Sequence, residues 1–210
     1  YYGTFFYPDF YPRLGLREIE GITPQEHKVT LIDELDFDFL EQYGKIDLVG
    51  VSILTPFANK AYWIADRYRE MGTKVVLGGI HPSLCPREAK KHADTVVVGD
   101  GCSVWQDILK DAIRNDLMPF YKGSISKKTF PVPIRRKSDV GRYSNYVPIE
   151  TGRGCAKRCE FCVVPIIWGN HFIPRPIEDV LLETKNVMEN YGDKITLIFN
   201  ENLLHVFPYL

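Results

Sequence analysis

Sulfur is scarce in this chain of 210 residues, with five cysteines and three methionines. Five cysteines are too few for the disulfide framework of a small secreted scaffold. No apolar run approaches the roughly 18 residues of a membrane span. The aromatic start, Tyr1-Tyr2-Gly3-Thr4-Phe5-Phe6-Tyr7, carries no basic residue and so lacks the leading region of a secretory signal. It also lacks an initiating Met, which points to a piece of a longer polypeptide. No charge excess exists either: 26 basic against 27 acidic residues leave a net of −1, so nothing draws the whole chain to phosphate backbones or anionic lipid. Nucleic acid is therefore not an expected partner. With 16 glycines and 14 prolines the chain is neither collagen-like nor of low complexity. A composition 45% hydrophobic and 25% charged excludes wholesale disorder. What remains is a soluble, cytoplasmic chain of one large domain or two small ones.

Apolar runs alternate with amphipathic stretches from about residue 27. The runs are Lys28–Asp33, Asp47–Leu54, Lys74–Gly79 and Thr95–Gly99, each short, rich in β-branched residues and almost continuously apolar. Strands of a parallel sheet covered on both faces read this way. Between the second and third runs, Ala61, Ile64, Ala65 and Tyr68 mark one helical face, with Asn59 as its cap and Gly72 as its stop. After the fourth run, Val104, Trp105, Ile108, Leu109 and Ala112 form a second stripe. The spacing predicts a doubly wound α/β sheet over residues 1–125.

Residues 126–146 break that pattern. Pro131, Pro133 and the basic residues Lys127, Lys128, Arg135, Arg136 and Lys137 read as a solvated linker. Contact with phosphate is the alternative for that basic group. A second α/β unit spans 147–210. Val147–Thr151 is a strand leading into a cysteine loop, and a helix follows Pro174-Arg175-Pro176. Its face is Ile177, Val180, Leu181, Thr184, Val187, Met188 and Tyr191, Gly192 stops it, and Lys194–Phe199 is the next buried strand. One β-α-β unit leaves much apolar surface uncovered, so this unit reads as incomplete.

The sharpest signal is Gly152-Arg153-Gly154-Cys155-Ala156-Lys157-Arg158-Cys159-Glu160-Phe161-Cys162. Three thiols at spacing C-x3-C-x2-C behind a glycine-led turn can wrap one metal centre, and thiolates ligate both iron–sulfur clusters and structural zinc. Zinc wants a fourth ligand, for which His171 is the nearest candidate. Three ligands alone suit a [4Fe–4S] cluster that keeps one iron open. Cys85 and Cys102 each stand at a helix start, where a thiol pKa is lowered; ordinary half-buried residues are the favoured reading, reactive thiols the other.

With Phe161 in the aromatic place, the loop resembles the C-x3-C-x-aromatic-C signature of the radical S-adenosylmethionine superfamily. The resemblance implies that Cys155, Cys159 and Cys162 hold a [4Fe–4S] cluster whose open iron chelates S-adenosylmethionine. One electron then cleaves the sulfonium to methionine and a 5′-deoxyadenosyl radical. A reductant such as flavodoxin or ferredoxin is implied as a partner. The family builds its site on a partial (β/α)6 TIM-like barrel, of which 147–210 would supply the first β-α-β unit. Phe161, Glu201 and Asn202 are the implied contacts to the cofactor; Asn200 departs from the family's usual residues at that strand end.

Upstream, Val49–Pro56, Leu77-Gly78-Gly79-Ile80-His81-Pro82 and Val97-Val98-Gly99-Asp100-Gly101 resemble the cobalamin-binding domain that precedes the radical domain in one group of these enzymes. The two resemblances together cover about residues 10–210. Ligands of open α/β sheets bind at the carboxyl ends of strands, where glycines let backbone approach a large flat molecule. Ser52, Thr55, Gly78, Gly79, His81, Gly99 and Asp100 are the implied cobalamin contacts. The Asp-x-His-x-x-Gly motif that supplies a lower histidine ligand is absent, so a cobalt held here would lack an axial histidine. The activity implied is methyl transfer to an unactivated carbon, or another radical rearrangement, on an unidentified small-molecule substrate. The rivals are a radical enzyme that does not use cobalamin and a non-catalytic module holding a cluster or zinc. A methylthiotransferase would carry a further set of cysteines in its first domain, and Cys85 and Cys102 do not make that set.

Overall fold

The structure is a computed structural model that describes residues 14–32, 45–125, 130–135, 146–191 and 195–199. Four strands, β1 (Leu48–Ser52), β2 (Lys74–Gly78), β3 (Thr95–Val98) and β4 (Phe120–Lys122), form one sheet in that order. All three pairings are parallel, with Val49 opposite Val75, Val76 opposite Thr95 and Val96 opposite Phe120. The helices are α1 (Leu14–Ile22), α2 (Ala58–Glu70), α3 (Ile80–Leu84), α4 (Pro86–Ala89) and α5 (Trp105–Ile113).

Alternation along the strands divides the core into two layers. Val75, Leu77 and Val96 pack with Ala61, Ile64, Ala65 and Tyr68 of α2 on one face. Val76, Val97 and Tyr121 pack with Ile108 of α5 on the other. Helix α1 joins α5 on that second face, where Trp105 Nε1 donates to Thr23 Oγ1 at 2.8 Å. Helices on both faces of a parallel sheet make this the doubly wound α/β fold that the apolar runs predict.

Several local expectations need correction. Residues 28–32 form no strand, and Val29 is 39% exposed; a run of β-type residues needs a neighbour to bond to, and none lies beside it among the described residues. Asp33 lies outside the described residues. Asn59 stands inside α2, whose N-cap is Phe57 with no side-chain cap bond. The stop at Gly72 holds, at φ +80°. The strand β4 escapes sequence reading because only Tyr121 of its three residues is buried.

The second unit is β5 (Tyr146–Glu150), β6 (Gly152–Arg153), α6 (Val164–Trp168), β7 (Ile173–Pro174), α7 (Ile177–Tyr191) and β8 (Ile195–Phe199). Strands β5 and β8 pair in parallel through the α7 crossover, Val147 opposite Thr196 and Glu150 opposite Phe199. On α7 the buried face is Val180, Val187 and Tyr191, packed on Val147 and Ile149. Ile177, Leu181 and Met188, expected on that face, are exposed. Glu183 is what turns the helix: it is buried and clamped by Arg135 and Arg175. Those arginines also donate to the carbonyls of Pro148 (2.5 Å) and Glu150 (3.3 Å) of β5. Arg135 is therefore an interior ion-pair partner, not a solvated linker charge. The basic residues Lys127, Lys128, Arg136 and Lys137, and the stop at Gly192, lie outside the described residues.

Candidate cofactor site

Three loops leave the carboxyl ends of β1, β2 and β3 and are knitted together by backbone and hydroxyl hydrogen bonds. Ile53 N donates to Gly78 O at 2.8 Å, and His81 N to Ile53 O at 3.0 Å. Ser83 Oγ donates to Gly79 O at 2.7 Å and accepts from Gly99 N at 3.0 Å. Gly79 and Gly99 adopt φ of +95° and +87°, where side chains are strained. A Cβ on Gly79 would also meet Ile53 N at 2.8 Å, and one on Gly99 would overlap the Gly123 carbonyl oxygen. The glycines thus do two things: they make the turns possible and leave backbone, not side chain, lining the strand ends. Ser52 and Thr55 are exposed on the rim of these loops. Ser83, which sequence reading passes over, is the hydroxyl that joins the second loop to the third. It lies in α3, just after the glycine pair, and only the fold brings Gly99 to it.

His81 is buried and both ring nitrogens are engaged. Nδ1 lies 3.3 Å from Thr55 Oγ1 and Nε2 lies 3.3 Å from Glu88 Oε1. His81 is the first cause that holds the Glu88 carboxyl below the usual range. One ligand atom each of His81, Cys85 and Glu88 lies within 4.8 Å of the others, a set able to hold a small cation. Among the described residues it is the one set of three gathered this closely.

The segments flanking the cysteine loop meet these glycine loops, Arg153 at Asp100 and α6 at α3. Gly154 has φ +81°, and a Cβ there would overlap the His171 carbonyl oxygen, so the turn that opens the loop requires glycine. Cys155 is buried, Cys162 half-buried and Cys159 exposed, and none of them is in a disulfide. Cys162 N donates to Cys159 O at 3.0 Å, closing the turn that carries Phe161, whose ring is 90% exposed. Two Zn–S bonds of about 2.3 Å put thiolates less than about 4.6 Å apart. The three loop sulfurs are not drawn together to the 4.8 Å of the His81 set. His171, the candidate fourth zinc ligand, is exposed. Glu201 and Asn202 lie outside the described residues.

Asp100, expected at the cofactor, is 2% exposed and turned inward. Its Oδ1 accepts from Cys102 N at 3.2 Å and lies 3.5 Å from Arg153 Nη1. Arg153 also reaches both oxygens of Glu18 at 2.6 Å and Glu150 Oε2 at 2.7 Å. Its guanidinium lies over the rings of Phe130 (5.3 Å) and Trp168 (5.6 Å). Three carboxylates therefore share one buried cation. Burial pushes the Glu18 carboxyl up to about 7 against the pull of Arg153, and it raises Asp100 as well. Cys102 stands 3.8 Å from Glu18 Oε2; burial and that carboxylate drive its thiol far above the ordinary value, so it is not a reactive thiol. Glu18 and Arg153, 135 residues apart, carry no sequence signal for each other.

Comparison with known proteins fits this geometry. Residues 9–109 match the B12 binding domain family. Over 176 residues the chain is 36% identical to bacteriochlorophyllide d C-8(2)-methyltransferase of Chlorobaculum tepidum, covering 79% of this chain and 38% of that protein. It is 31% identical over 191 residues to bacteriochlorophyllide d C-12(1)-methyltransferase of the same organism, covering 86% and 41%. The chain thus spans about two-fifths of the length of these relatives. In fold it is similar to the cobalamin-dependent S-adenosylmethionine radical enzyme OxsB, with TM-score 0.74 at 18% identity over 93% of this chain and 32% of that one. No described helix is long and apolar enough to cross a membrane.

Proposed function

We propose that this chain, which belongs through residues 9–109 to the B12 binding domain family, serves cobalamin-dependent radical S-adenosylmethionine methyl transfer. The observation that carries the reading is a contact between the flanks of the two motifs: Arg153, two residues before Cys155, reaches Asp100 beside Gly99. When bound, the cluster supplies the electron that cleaves S-adenosylmethionine, and cobalamin supplies a methyl carrier.

The protein's own part is to bind and orient. Cys155, Cys159 and Cys162 would ligate the cluster, and exposed Phe161 would flank the S-adenosylmethionine. Glu201 and Asn202 follow in sequence as its further contacts. Backbone at Gly78, Gly79 and Gly99, with the rim residues Ser52 and Thr55, would receive the corrinoid. Asp100 acts behind that surface through Arg153. Both ring nitrogens of His81 are engaged, by Thr55 and Glu88, which supports a cobalt without an axial histidine. The substrate class is a small molecule methylated at carbon, as the names of the two Chlorobaculum relatives state for bacteriochlorophyllide d. A flavodoxin- or ferredoxin-type protein would supply the electron, and residues 147–210 would open the radical barrel.

The test has two parts. Hydroxocobalamin titrated into the chain should give a saturable spectrum of the base-off type. After anaerobic reconstitution and reduction, S-adenosylmethionine should change the cluster's electron paramagnetic resonance signal. A chain that takes up zinc, shows no such signal and leaves hydroxocobalamin unchanged would overturn the reading.

A further inference from the structure

We infer that Arg153 is a positioning residue that couples the cysteine loop to the third glycine loop, so that filling either one tightens binding at the other. The inference rests on the reading above, that the two loops hold a cluster and a corrinoid. Arg153 forms β6 with Gly152, two residues ahead of Cys155, and its guanidinium touches groups on three separate elements. Glu18 lies on α1, Glu150 at the end of β5, and Asp100 next to Gly99 at the end of β3. Arg153, Glu18 and Asp100 are each less than 5% exposed, so none can exchange its partner for water. A buried charge that loses its partner is strongly penalised, so each of these contacts resists breaking.

The backbone on either side has little slack. Gly154 is pressed on the His171 carbonyl and Gly99 on the Gly123 carbonyl, both in the left-handed region. Trp168, in the helix that follows Cys162, covers the guanidinium, so both ends of the cysteine loop bear on Arg153. Drawing Cys155 onto a cluster therefore fixes Arg153, and Arg153 fixes Asp100 and the Gly99 turn. A corrinoid that meets a turn already fixed loses less freedom on binding, which is positive coupling, and coupling of this kind is reciprocal.

The experiment measures the hydroxocobalamin dissociation constant of the full chain, with and without reconstituted cluster. The expected result is about tenfold tighter binding with the cluster present, within the usual range for coupled sites. Arg153→Lys keeps the charge but loses the fork that reaches three carboxylates, and it should bring the ratio close to one. If that variant fails to fold, Asp100→Asn carries the test, since it removes the charge of the arm to the glycine loop while an amide oxygen can still accept from Cys102 N, and it should also bring the ratio close to one. Glu18→Gln, which alters the arm to α1 and the contact with Cys102 Sγ but leaves the Arg153–Asp100 pair, should keep it. A purely structural role for the cage would make Glu18→Gln and Asp100→Asn act alike, and that result overturns the proposal. A ratio of one in the unaltered chain with both groups bound overturns it too, and leaves the proposed function standing. Failure of the unaltered chain to bind either group removes the proposed function and this inference together.

Discussion

Replacing Glu18 with Gln should flatten the pH dependence of stability between about pH 5 and 8. Glu18 is 3% exposed, and its carboxylate shares one guanidinium with Glu150 and Asp100. Three carboxylates against one cation in a buried cage favour keeping one of them protonated, and burial lifts Glu18 from 4.5 to about 7. At roughly 1.36 kcal/mol per pKa unit, that rise corresponds to about 3 kcal/mol. The sign follows from which state holds the proton. Glu18 binds it more tightly folded than unfolded, so its contribution is fully present below about pH 4.5 and is lost as pH rises through about 7. Urea unfolding followed by circular dichroism, at steps from pH 5 to pH 8, reads the effect. The unaltered chain should lose about 3 kcal/mol more than Glu18→Gln over that range, the two being close at pH 5. Stability that rises with pH relative to the Gln variant, or two parallel profiles, would refute the reasoning.

Replacing Cys159 with Ala should abolish cluster incorporation, measured as iron per chain after anaerobic reconstitution, while Cys85→Ala and Cys102→Ala leave iron content unchanged. Cys102 should resist alkylation by iodoacetamide at pH 8 in the folded chain, read by mass spectrometry, because burial and Glu18 hold it as a thiol. Gly99→Ala should destabilise by more than about 2 kcal/mol in urea unfolding: the left-handed backbone costs about 1–2 kcal/mol and the overlap with the Gly123 carbonyl adds to it. His81→Ala should shift the bands of bound hydroxocobalamin little, since His81 is engaged by Thr55 and Glu88; a large shift would make His81 a cobalt ligand.

The sheet core was legible because burial on both faces writes itself as continuous apolar runs. β2 and β3 lie where Lys74–Gly79 and Thr95–Gly99 read as strands, and every member of the Ala61, Ile64, Ala65, Tyr68 stripe is buried. The failures share a cause, which is that the deciding partner is remote in sequence. Residues 28–32 have strand composition but no strand beside them among the described residues. Helix α1 is hard to read because its buried members are the charged Arg17 and Glu18, and Glu18 pairs inside with Arg153 far along the chain. The α7 stripe was rotated for the same reason, since the buried position Glu183 is set by Arg135 and Arg175. At the site, the glycine turns were visible as motifs, and their φ values agree. The inward turn of Asp100 was not, because the three carboxylates around Arg153 meet only once both α/β units have formed.

In the proposed function one chain offers a corrinoid site on its glycine loops and a cluster site on its cysteine loop. Elemental analysis of the chain, purified anaerobically after reconstitution with iron, sulfide and hydroxocobalamin, tests it most directly. The account predicts about four irons, as in a [4Fe–4S] centre, together with about one cobalt per chain. About one zinc per chain, with neither iron nor cobalt retained, would contradict it.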